Sequence, residues 1–169
     1  MIDHDKSTSH NHPDPLNPES REPNFIPPTA DPTFFLYLPS GIEKQINPSD
    51  LREYPRSFVP DCYIVSTGHG TSGPFLFSGV ALFDFIETNI ESGEKWNQVE
   101  VLSADGFGTR IAYQELFDTD PAGPIIIADT RDDISMTRNQ GLFRLIVPSE
   151  RDDAIRQIKW ISKANVLSD

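Results

Sequence analysis

The sequence predicts an α+β domain built mainly from short, mixed β-strands with one main helix. Three observations predict it. The apolar runs are short and are bounded by Gly, Pro, Asn and Asp, which is the pattern of strands and turns. One stretch, Val80 to Ile90, carries Leu82, Phe83, Ile86 and Ile90 at helical spacing. Strands and helices do not alternate as they do in βαβ units, so a doubly wound parallel sheet is not expected.

The elements follow in order. Phe34 to Leu38 is strand-like, Pro39-Ser40-Gly41 signals a turn, and Ile42 to Ile46 returns as a second strand. Asn47 followed by Pro48 is a helix start, and Pro55 ends that helix after about two turns. Cys62 to Val65 is a short apolar strand running into the polar, glycine-rich stretch Ser66 to Gly73. After Phe75-Leu76-Phe77 comes the main helix, with a C-cap expected near Gly93. Residues 98–112 read as a hairpin, with Asp105-Gly106 expected to form a type I′ turn. Tyr113 to Phe117 suits one helical turn. Ile125 to Ala128 is a buried strand, Leu142 to Val147 another, and the last strand begins at Ile158.

Residues 1–33 are expected to be a disordered polar tail, and 34–169 the folded domain. Seven of the 15 prolines and three of the 4 histidines fall in the first 32 residues, and such a segment cannot bury enough apolar surface to offset its ordering entropy. His4, His10 and His12 would bind a metal at most weakly. The net charge of −12 argues against nucleic acid and anionic membranes as partners. An anionic ligand would need concentrated Arg and Lys. One cysteine, Cys62, rules out an intramolecular disulfide. The absence of a long apolar run and of an apolar leader makes a soluble, cytoplasmic protein the expectation.

Four segments together resemble the molybdopterin-binding domain of the sulfite-oxidase-like oxidoreductases. They are INPSDLREYP (46–55), FSGVALFDFI (77–86), SADGF (103–107) and GLFRLIVP (141–148), the last followed by Ile158-Lys159-Trp160. They span almost the whole folded part. The resemblance implies a compact, mostly β domain holding an anionic molybdopterin, with a cysteine thiolate on molybdenum. It also implies that Asn139, Arg144 and Lys159 grip the pterin and its phosphate, and that Asp105 lies near the pocket mouth. Cations and amide donors are what such a ligand needs.

Two departures stand beside the match. Spacing back from Gly79 puts the metal-binding position near Ser66 or Thr67, neither a thiol, while Cys62 lies earlier in an apolar run. After Pro148 the chain carries Glu150, Asp152 and Asp153, an unfavourable field for a phosphate. The stretch Ser66 to Gly73 could instead be a ligand loop, with Thr67 facing the ligand and His69 as a base or metal ligand, or a plain strand connection. Asp118-Thr119-Asp120 and Asp129 to Asp133 read as solvated turns, lacking the calcium-loop spacing. Three functions remain open: a molybdopterin-dependent oxidoreductase-like domain, a cofactor-free module for a small anionic ligand, or a protein-interaction domain with a basic partner.

Overall fold

The computed structural model describes residues 27, 31–66, 70–150 and 156–169. The segment expected to be disordered, 1–33, lies outside the described residues apart from Pro27 and 31–33.

Two five-stranded sheets make the domain. The first contains β1 (Phe34–Tyr37), β2 (Glu43–Ile46), β5 (Gln98–Ser103), β6 (Gly108–Ala112) and β10 (Ile161–Leu167), in the order β2-β1-β10-β5-β6. Strand β10 runs parallel to β1 and antiparallel to β5. The second contains β3 (Ser57–Ser66), β4 (Gly70–Ala81), β7 (Ile126–Arg131) and β8 (Ile134–Ser135) in that order, with β9 (Arg144–Ile146) also paired to β7. Among the described residues three short helices join them: α1 (Pro48–Leu51), α2 (Leu82–Asn89) and α3 (Tyr113–Phe117). The mixed α+β class is therefore as expected, with α2 the longest helix. Among the described residues no helix is long and apolar enough to cross a membrane.

The main core joins both sheets. Phe34 and Leu36 from β1, Val99 and Val101 from β5, Val80, Ile127 and Leu145 from the second sheet, and Phe85 and Ile86 from α2 are buried together. Alternation along the strands turns other residues to the opposite face of the second sheet. There Val59, Cys62, Phe77, Ile126, Ala128, Met136 and Ile146 form a smaller cluster.

Several expectations need correction. The polar stretch Ser66 to Gly73 is mostly ladder: β3 and β4 pair from Ser57↔Gly79 out to Ser66↔Gly70. Small polar residues suit the two exposed faces of a projecting ribbon, which hides its strand character from a hydrophobic pattern. In the β5–β6 hairpin Gly106 has φ +92° and Asp105 does not enter the left-handed region. The loop is thus a three-residue turn closed by Ser103 N–H to Phe107 O at 2.7 Å, not a type I′ turn. Strand β9 is shorter than Leu142 to Val147, because Leu142 takes φ +56°. The final strand starts at Ile161, because Trp160 takes φ +52°.

Candidate functional site

The face that carries the smaller cluster also carries the chain's most unusual charge. Arg144 starts β9 and shares its face with Ile146, while Leu145 turns to the main core. Its residue is 9% exposed. Among the described residues no carboxylate pairs with it, and its Nε has no hydrogen-bond partner. The ring of Phe77 lies 5.9 Å from its guanidinium carbon, a weak recompense for lost water. Burial pushes its pKa down to about 10, with Cys62 opposing the shift and Arg131 adding to it. The side chain stays cationic at neutral pH.

Cys62 supplies the nearby thiol. It sits on β3 opposite Phe75 of β4, between two register shifts, and Asp61 beside it takes φ +52°. Such bulges re-aim side chains. The thiol is 8% exposed and lines a cleft of about 390 Å³, whose other walls include Pro60, Tyr63, Thr71, Ala122 and Pro148. Burial pushes its pKa up, against the opposing pull of Arg144. Alkylation of Cys62 by iodoacetamide is therefore expected to rise with pH around a midpoint above the ordinary value of 9.0. Arg144→Met should move that midpoint higher still; an unchanged midpoint would show that the guanidinium does not act on the thiol.

Lys159 reaches the same field from a different segment. Residues 158–161 run beside β9 through Leu145 N–H to Ile158 O at 2.9 Å and Ile161 N–H to Phe143 O at 3.1 Å. Trp160 ties three pieces together. Its backbone N–H donates to Gly141 O, its carbonyl accepts from Ala104 N–H, and its indole N–H donates to Arg138 O at 2.7 Å. Asp105, next to Ala104 in the β5–β6 loop, stands close enough to support the Lys159 charge. Burial, then repulsion by Arg144, pushes the Lys159 pKa down, and Asp105 opposes them. Gly141 packs so tightly on Lys159 that a Cβ there would lie 2.9 Å from Lys159 Cβ.

Charge interactions link these residues pairwise, Cys62 with Arg144, Arg144 with Lys159, and Lys159 with Asp105. Asn139, expected to grip the ligand, sits exposed on the turn that precedes Gly141, outside the buried group. Thr67 and His69 lie outside the described residues. Their flanks, Ser66 and Gly70, pair at the end of the β3–β4 ladder, four residues beyond Cys62, or roughly 13 Å along the strand. The β3–β4 ladder runs from Ser57↔Gly79 to Ser66↔Gly70, so the expected metal position near Ser66 stands at the end of the ribbon far from Gly79. Of the carboxylates after Pro148, Glu150 is paired with Arg156 at 3.2 Å, and Asp152 and Asp153 lie outside the described residues. Among the described residues no three of His, Cys, Asp and Glu gather as a metal site.

One further cation belongs to this face. Arg131 of β7 stacks 4.4 Å over the Phe75 ring, pairs in register with Phe77, and repels Arg144. Its place among three acidic residues in DTRDD disguised it. The signal that could have found it is strand alternation from Ile126 and Ala128, which a register shift at Ser78/Gly79 interrupts.

No family model matches the chain, and no curated protein matches it. Among solved structures it resembles the sulfane dehydrogenase SoxCD from Paracoccus pantotrophus, with a TM-score of 0.64 at 13% identity, over 81% of this chain. The chain spans 38% of that neighbour's length. At this identity the likeness is one of fold.

Proposed function

We propose that this is an oxidoreductase-like domain whose Cys62–Arg144–Lys159 site takes an anionic, phosphorylated pterin of the molybdopterin class. The observation that carries the proposal is Arg144, a buried guanidinium without a counter-anion. Leaving a charge buried and unpaired is costly, so an anion is the missing partner. A second buried donor, Gln157 Nε2, also lacks a partner. Orphaned donors, a nearby thiol and a second cation fit an acceptor-rich anion joined to a soft metal. Arg144 and Lys159 would hold the phosphate and pterin, and Cys62 the metal. When bound, the group would supply oxygen-atom or electron transfer at molybdenum.

The chain's own residues have simpler tasks. Arg144 favours the Cys62 thiolate, Asp105 partly offsets the fall in the Lys159 pKa, and the proton lost by Cys62 leaves through the cleft that the thiol lines. Metal and pterin content, measured on protein from a host that makes the cofactor, tests this. About one equivalent of molybdenum is expected, lost in Cys62→Ser and lost together with pterin in Arg144→Met. Protein that carries neither sinks the cofactor reading. A cofactor-free site for a small oxyanion at Arg144 itself is the second reading: the cleft beside Cys62 carries Asp61 and Glu150 on its wall and lacks Arg144 and Lys159, so it offers a bulky anionic cofactor little attraction.

A further inference from the structure

Away from this site, α2 and α3 present an aromatic surface. Phe117 is 57% exposed. Its ring stacks on Tyr113 at 5.9 Å and meets Phe83 edge-on, and Phe83 and Tyr113 both contact Trp96. A phenylalanine more than half exposed at the end of a one-turn helix does little for the core, whereas a supported, rigid aromatic is what an interface anchor requires. On the other flank of α3 lies a groove of about 140 Å³ lined by Glu115, Asp118 and Asp120. Glu115 is neutralised by Arg156 at 2.8 Å. Asp118 accepts a hydrogen bond from the neutral Gln114 amide, and Asp120 one from Ala122 N–H. Neither has a cationic partner among the described residues.

We infer that this face docks a basic, amphipathic segment of a partner protein. An apolar side chain of the segment packs on Phe117, Tyr113 and Phe83, and an Arg or Lys beside it enters the groove to meet Asp118 and Asp120. The charge selects the occupant: a second copy of this chain, itself carrying −12, would be repelled, and a basic partner steered in. The contact does not depend on what the Arg144 site holds.

The test uses the full chain and two fluorescein-labelled peptides, one alternating Arg with Leu and one alternating Arg with Ser. Fluorescence anisotropy should show the Arg–Leu peptide binding at least about tenfold tighter, the gain expected of one buried apolar anchor. Phe117→Ser, at an exposed position that leaves the fold alone, should erase that difference. Asp118→Asn with Asp120→Asn should weaken both peptides and flatten the salt dependence. Equal affinity for the two peptides, or unchanged affinity in Phe117→Ser, overturns the inference. So does a Phe117-dependent dimer in sedimentation equilibrium, which would make a second copy the occupant.

Discussion

Arg144→Met is expected to melt at a higher temperature than the parent when no ligand is present, and to lose all specific response to phosphate. Both effects come from one group. The guanidinium is buried with no carboxylate beside it, and Arg131 and Lys159 are near enough to repel it. Replacing buried ionic groups with apolar ones of similar volume is commonly neutral or stabilising by about 1–4 kcal/mol, and a lone cation has more to gain than a pair. Methionine also packs well against an aromatic ring such as Phe77. For a domain of this size the gain corresponds to several degrees, roughly 3–4 °C per kcal/mol. Phosphate stabilises many proteins by exclusion, so the specific part is the difference between parent and variant across a phosphate series at constant ionic strength. If the variant melts lower and responds to phosphate as the parent does, Arg144 is a structural residue and the site assignment fails.

The pH dependence of that difference has a definite sign. Arg144 binds its proton less tightly folded, with a pKa of about 10, than unfolded, where it takes the higher value ordinary for arginine. The unfolded chain therefore holds more protons between those values, and folding stability from this group rises with pH across that window. The advantage of Arg144→Met should be full below pH 10 and should shrink above it.

Gly79→Ala is expected to cost the fold at least about 3 kcal/mol, a large part of the stability of an ordinary domain. The reason is space, not backbone freedom. A Cβ at this position would lie 1.9 Å from Ile127 O and 2.8 Å from Ala128 Cα. Those are backbone atoms of the adjacent strand, and they cannot rotate away. Gly79 pairs with Ala128, and Ala128 pairs in turn with Arg144, so relief of the clash would also displace the cation. Thermal unfolding should show a midpoint lower by roughly 10 °C or more, with phosphate response reduced in whatever folded protein remains. A variant as stable as the parent would mean that β4 and β7 approach less closely at this bulge.

The fold was legible wherever a pattern repeats within one element. Leu82 and Ile86 mark α2, Tyr113 to Phe117 marks α3, and Ile125 to Ala128 marks β7, because a single period decides each. Legibility failed where a neighbouring strand decides. Nothing in Thr71-Ser72-Gly73 announces a strand, since its partner Val65 to Ile64 supplies the ladder. At the candidate site, Arg144, Lys159 and Asp105 could be singled out because each lies in a recognisable segment, but the burial of Arg144 without a carboxylate could not. Counting residues back from Gly79 assumes a short connection, and the β3–β4 ribbon is long, so the separation of Ser66 from Gly79 in space could not be read. The exposure of Asn139 could not be read, because distance along the chain from Arg144 says nothing about which way the turn before Gly141 faces. Arg131 was missed because its sequence neighbours are acidic while its spatial neighbours are aromatic and basic.

The parallel pairing of β1 with β10 sets an order of events during folding. Hairpins β1–β2, β3–β4, β5–β6 and β7–β8 each join neighbours in the chain and can close early, since short loops cost little entropy. The first sheet is different. Without β10 it is two separate hairpins, because β10 alone bridges Leu36 of β1 and Val101 of β5, through Ala164. That bridge closes a loop spanning nearly the whole domain, so this step should be slow and late. A chain still growing on the ribosome would hold β1 and β5 with bare edges and half a core, a species prone to pair with copies of itself. Loss of Ile161–Leu167 should accordingly yield aggregation rather than a smaller folded domain.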